Sequence, residues 1–161
     1  INVGDKFFIG PFNGLFKSMI VKSMHDNFRN NIKTLKAGMS GCICIKSNKK
    51  DNIKKKNIKK GMVLTSEAFN IENKATIKFA ADVLILHHPT TIKTNYSPVV
   101  HCGNITQSAR IYEINKELVR TGDRAKIKFE FMNRPEFIRV GSRIIFREGK
   151  AKGIGKVIEV Y

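Results

Sequence analysis

Apolar and polar residues alternate along much of the 161-residue chain. In "KATIKFAADVLILHH" the odd positions Ala75, Ile77, Phe79, Ala81, Val83 and Ile85 are apolar, while Lys74, Thr76, Lys78 and Asp82 occupy the other parity. Successive side chains of an extended strand point to opposite sides, so this pattern predicts a strand with one buried face. "RAKIKFEF" repeats it, with Ala125, Ile127, Phe129 and Phe131 inward and Arg124, Lys126, Lys128 and Glu130 outward. "ITQSARIYEI", "SRIIFRE" and "GKVIEVY" are further strand-length runs. Between the runs, "RTGDRA", "NRPEF", "VGSR" and "REGK" place Gly, Pro, Asn or Asp where the chain must reverse. No window of a dozen residues carries a 3.6-residue period, and repeated short strands predict an all-β sandwich or barrel.

The first third is built differently. "LFKSMIVKSMH" and "GCICIK" read as strands around the polar "DNFRNNIKTLKAGMS". Residues 46–60, "KSNKKDNIKKKNIKK", hold eight Lys and one Asp. Such a run cannot pack in a core and is expected to be a solvated loop. "GMVLTS" then reads as the closing strand of a first unit. The polar "EAFNIEN" suits a linker, which places the units at 1–68 and 69–161.

Composition narrows the function classes. A hydrophobic content of 42% is enough for a buried core, and no run of 18 apolar residues is present to span a membrane. The opening "INVGDKFFIG" has neither a start Met nor a basic leader, and an excised piece of a longer protein is expected. The formal charge of +17 points to a polyanionic partner, RNA first. Part of that excess reflects the abundance of Lys, Asn and Ile typical of AT-rich genomes. No basic amphipathic helix supports a membrane surface as the partner. Cys42 and Cys44 fall on one face of a strand, a poor geometry for a mutual disulfide, and the third cysteine is Cys102. Reduced thiols and a cytoplasmic protein are expected.

The motifs that suggest chemistry are weak ones. "NKKD" at 48–51 matches the guanine-reading N-K-x-D, in which Asp51 would bond the guanine edge while Asn48 and Lys49 shape the pocket. No G-x-x-x-x-G-K-[ST] phosphate loop or D-x-x-G accompanies it, and the match is cheap in an Asn/Lys tract. "GKAKGIGKV" comes nearest to such a loop, but Val157 stands where a Mg-binding hydroxyl belongs and strands flank it on both sides. His25, His87, His88 and His101 fit no zinc spacing, and structural or RNA-facing roles are expected for them. No nucleophile–base pairing stands out, so no catalytic residue is assigned.

Taken together, "ADVLILHHPTTIKTNYSPVVHCGNITQSARI", "LVRTGDRAKIKFEF" and "RPEFIRVGSRIIFREGKAKGIGKV" resemble the C-terminal barrel of the translational GTPases related to elongation factor Tu and elongation factor 1-alpha. The resemblance rests on the turn Arg147-Glu148-Gly149 with Gly153 and Gly155 beyond it, and on "TGD" at 121–123. "LHHPTTI" and "VVHCG" are similar to the GTP-binding protein 1 and 2 branch. "VKSMH" and "KKGMVL" resemble that branch's preceding barrel, with Met24 and Lys60 in place of Ile and Arg. The lysine tract departs from the pattern, and the opening strands of the first barrel look truncated.

The resemblance implies two small β-barrels, of the domain 2 and domain 3 type, packed side by side. It implies binding of tRNA and the ribosome, and docking of the parent's own GTPase domain. GTP and Mg²⁺ would belong to that domain, leaving this region without a cofactor, a small-molecule substrate or a catalytic role. A monomer is expected. "REGKAKGIGK" would hang Arg147, Lys150, Lys152 and Lys156 around a tight turn whose glycines, Gly149 among them, admit a phosphate closely. Glu148, His88 and Gln107 join the candidate RNA-facing set, and Lys22, His25 and Arg29 form a second basic patch. The plain alternative for both places is a solvated hairpin tip. The alternative function is a protein-interaction module that links a GTPase to an RNA-decay or surveillance partner.

Overall fold

The computed structural model describes residues 1–47, 53–66 and 75–161, which divide into two compact units, Ile1–Asn73 and Lys74–Tyr161. Asn48, Lys49 and Asp51 of the N-K-x-D match lie outside the described residues, as does the linker stretch 67–73. Among the described residues no helix is long and apolar enough to cross a membrane.

The first unit is organised on one long strand. β1 (Lys6–Phe12) and β2 (Leu15–Asp26) form a hairpin across Asn13-Gly14. Both turn residues have positive φ, 49° and 92°, as a type I′ turn demands. β2 also pairs with β3 (Asn31–Ile32) and β4 (Gly41–Ser47), and β1 pairs with β5 (Val63–Thr65). Among the described residues the result is an open five-stranded sheet, with Ile9, Met19, Val21 and Met24 as its buried core. In β4, Ile43 and Ile45 pack against that core and leave Cys42 and Cys44 exposed together, the disposition the alternation predicts.

The second unit is a closed six-stranded barrel. Its strands are β6 (Lys78–His87), β7 (Val99–Cys102), β8 (Ile105–Ile114), β9 (Arg124–Phe131), β10 (Arg143–Glu148) and β11 (Ala151–Val160). They run around the ring as β10-β11-β6-β9-β8-β7, and β10 closes it by pairing with β7. In β9, Ala125, Ile127, Phe129 and Phe131 are all buried, following the predicted parity. The predicted parity fails at the entrance to β6, where Thr76 is 4% exposed and Ile77 41%. Thr76 exchanges backbone hydrogen bonds with Glu136, and its hydroxyl donates to the Tyr161 carbonyl and accepts from the Lys78 N–H, so it is drawn inward.

The glycines of β11 serve packing. A Cβ built at Gly153 would stand 2.2 Å from Phe146 Cε1, on the residue directly opposite in β10. Phe146 therefore lies over Gly153, fully buried, with its ring 6.3 Å from that of Phe129. Phe129 in turn stacks on Phe79 at 5.2 Å. A Cβ at Gly155 would come within 2.5 Å of the Asp82 carbonyl oxygen. Neither glycine is free to cradle an external phosphate. Gly153→Ala should destabilise the barrel by about 1–3 kcal/mol through overpacking, read from urea unfolding. Lys152→Ala next to it, fully solvated, should change stability by no more than about 0.5 kcal/mol.

Candidate nucleic-acid interface

The β10–β11 hairpin displays its charge by register. Arg147 lies opposite Lys152, Ile145 opposite Ile154, and Arg143 opposite Lys156, all on the outer face. Gly149 and Lys150 are the two residues of the turn. Gly149 takes φ +54° with nothing within 4 Å of a Cβ position, while Lys150 keeps negative φ, the II′ pattern that matches strand twist. Arg147, Lys150 and Lys152 thus cluster at the tip. Lys156 does not join them, because strict pairing carries it to the far end of the hairpin beside Arg143.

Four glutamates of this barrel are ion-paired away from the hairpin tip. Glu130 accepts from Arg110 at 2.6 Å, Glu159 from Lys126 at 2.6 Å, Glu113 from Lys128 at 2.7 Å and Glu136 from Arg134 at 2.8 Å. The hydrogen bond from Arg110 holds the Glu130 carboxyl below the usual range, and the one from Lys126 does the same for Glu159. Among the described residues, Arg143, Arg147, Lys150, Lys152 and Lys156 make no ion pair. The hairpin cations thus keep a positive charge that no ion pair offsets.

Glu148 and His88 meet through Tyr96, a residue that motif reading passes over. Burial first, and then the Glu148 carboxylate beside it, push the Tyr96 hydroxyl upward in pKa. The His88 ring meets Tyr96 edge-on at 5.2 Å, and His88 Nδ1 accepts from the Thr90 N–H at 3.2 Å. Both candidates thus have structural work at the base of the turn. Gln107 requires correction, because it is buried rather than RNA-facing. Its Oε1 accepts from the Asn133 and Arg134 N–H groups, and its Nε2 donates to Glu136 at 3.0 Å, fixing the 133–136 turn.

In the first unit Lys22, His25 and Arg29 are all exposed. Asp26 Oδ1 accepts from the backbone N–H groups of Phe28 and Asn30 and holds the turn that follows β2. Arg29 sits in that turn at φ +66°. Phe28 beside it is 86% exposed, a ring available for stacking next to a cation, which the sequence reading missed although "NFRN" shows it. His25 faces Cys42 across the sheet, lining with Cys44 a small cavity of about 170 Å³. Among the described residues no three His, Cys, Asp or Glu side chains are grouped to hold a metal ion.

Comparison with known proteins follows the same outline. Residues 78–155 match the family described as GTP-eEF1A C-terminal domain-like. GTP-binding protein 1 of Xenopus laevis is 37% identical over 161 residues, which covers 99% of this chain and 23% of that protein. GTP-binding protein 2 of Homo sapiens is 34% identical, covering 98% of this chain and 25% of its own length. The chain thus spans about a quarter of these relatives. A crystal structure of sup35 complexed with GDP matches with a TM-score of 0.75 at 18% identity, over 100% of this chain and 41% of that one, a likeness of fold.

Two outcomes check the site. Gln107→Ala should cost about 1–3 kcal/mol in urea unfolding, because the Asn133 and Arg134 N–H groups lose their acceptor and Glu136 loses one of its two donors. Asp26, held below its ordinary pKa chiefly by the Asn30 side chain, stabilises its turn above the unfolded value and loses that effect as pH falls through the folded one. The Phe28 and Asn30 amide resonances should therefore stay native through the ordinary aspartate range near pH ~4 and shift only below it.

Proposed function

The chain belongs to the translational GTPase superfamily of elongation factor 1-alpha and the GTP-binding proteins 1 and 2, and on that premise we propose that it contributes tRNA and ribosome binding. One observation carries this reading: Arg147, Lys150 and Lys152 gather at the tip of the last hairpin, exposed and without an ion pair among the described residues. Phosphate contacts of that kind position an RNA without reading its sequence, which suits a surface that must accept many tRNAs. Phe28 with Lys22, His25 and Arg29 would supply a second contact in the first unit.

GTP and Mg²⁺ are assigned in this reading to a GTPase domain of the parent protein, which the second barrel would also dock. The β11 glycines do not fit a nucleotide phosphate, since Phe146 and the Asp82 carbonyl occupy the space that two of them leave. On this reading hydrolysis belongs to that GTPase domain.

RNA binding should be salt-sensitive, with each phosphate contact adding about 0.7–0.9 to the log–log slope. Changing Arg147, Lys150 and Lys152 together to Ala should flatten that slope by about 2 to 3 in a filter-binding titration with tRNA. An unchanged slope rejects the hairpin as the RNA contact. The three side chains are exposed, so the thermal midpoint should not move and serves as the folding control.

A further inference from the structure

The outer face of the second barrel also carries an apolar strip that the RNA reading does not use. Leu84 of β6 pairs with Ile154 of β11, and Ile154 pairs with Ile145 of β10, so three aliphatic side chains form one row across three strands. Ile154 is 41% exposed and Ile145 47%. They line an open groove of about 460 Å³ with Gly155 in its lining. Arg124, Arg143 and Lys156 also line it, and among the described residues Asp82 is its only acidic lining residue. Those three cations make no ion pair among the described residues. Leu86, on the same parity of β6, extends the exposed aliphatic surface.

Exposed aliphatic side chains gathered in a concavity mark a binding surface rather than scattered solvent contact. The chemistry selects the occupant. Among the described residues the lining has no aromatic ring, so unstacked bases gain nothing there, and phosphates set against the Ile–Ile–Leu floor would lose hydration without gaining a polar partner. A bilayer needs protruding apolar residues, and this floor is recessed. A peptide with aliphatic side chains on one face and carboxylates beside them satisfies floor and rim together. Spacing is also compatible: two inter-strand steps from Leu84 to Ile145 cover roughly 9–10 Å. Seven residues of α-helix rise about 10.5 Å, so apolar side chains at i, i+4 and i+7 span the row.

We infer that the groove over Leu84, Ile154 and Ile145 docks an acidic amphipathic helix of a partner protein, its aliphatic stripe crossing the three strands and its carboxylates meeting Arg124, Arg143 and Lys156. This site is separate from the Arg147–Lys150–Lys152 tip and does not rest on the RNA reading.

The test uses the 161-residue chain and a fluorescein-labelled synthetic helix with Leu at i, i+4 and i+7 and Glu on the flanking positions. Fluorescence anisotropy should show saturable binding, lost when the Leu residues become Ser. The double change Ile145→Ser with Ile154→Ser should weaken binding about tenfold or more without altering tRNA binding. Arg143→Glu with Lys156→Glu should weaken it similarly and create affinity for a Leu/Lys version of the helix. Amide shifts on titration should centre on residues 82–86, 143–146 and 153–156. No saturable binding overturns the inference. So does equal binding of the Ser-substituted peptide, which would mean general polyanion attraction, or equal binding by both groove variants. If tRNA rather than the peptide shifts Ile145 and Ile154, the occupant is RNA and the inference is also overturned.

Discussion

Phe146 fills the space that a Cβ at Gly153 would occupy, and closure of the second barrel depends on that contact. β10 is the strand that joins β11 to β7, and its inward ring stands 6.3 Å from Phe129, which itself stacks on Phe79. Burying a phenyl ring is among the larger single contributions a small core can make. With Phe146 turned inward, the pleat leaves no freedom to its neighbours. Ile145 and Arg147 must point out, and register then sets Ile154 and Lys152 beside them. The packing constraint and the charged outer face are thus one arrangement seen from its two sides.

The proposed RNA-binding role of that face draws on its cations making no ion pair among the described residues. Four glutamates, at 113, 130, 136 and 159, are tied to Arg or Lys on β8, β9 and the neighbouring turns. The solvent-exposed pairs, Lys126–Glu159 and Lys128–Glu113, add little to stability, being screened and entropically costly, whereas Glu136 is buried. The larger effect of the pairing is to offset the charge of Arg110, Lys126 and Lys128 on β8 and β9, while Arg147, Lys150 and Lys152 keep theirs. Charge of that sort steers a polyanion over roughly a Debye length, about 8 Å at physiological salt. The aliphatic row between Arg147/Lys152 and Arg143/Lys156 divides the same face into a cationic tip and a mixed groove.

The strands were legible because period two survives without knowledge of partners. β9 reads inward and outward residue by residue. The failures have a common physical cause, which is that the deciding partner lies far along the chain or across a register that alternation does not reveal. Thr76 turns inward because of Glu136, sixty residues on, and Gln107 is buried because the 133–136 turn needs its amide. Gly153 and Gly155 resemble a phosphate cradle in one dimension, and only the pairing with Phe146 and the approach of Asp82 show them filled. His88 and Glu148 were identified as site residues, whereas Tyr96, which joins them, carries no motif. The cationic tip was legible as four residues and proves to be three, since Lys156 belongs to the other end of the hairpin.

The central claim, that RNA meets the outward face of the last hairpin, is tested most directly by ultraviolet cross-linking of the unaltered chain to tRNA with mass-spectrometric mapping of the adducts. The account predicts adducts on residues 147–152 at the hairpin tip, together with Phe28 in the first unit. Adducts confined to the ion-paired β8 and β9 face, or to the lysine tract 46–60 alone, would contradict it.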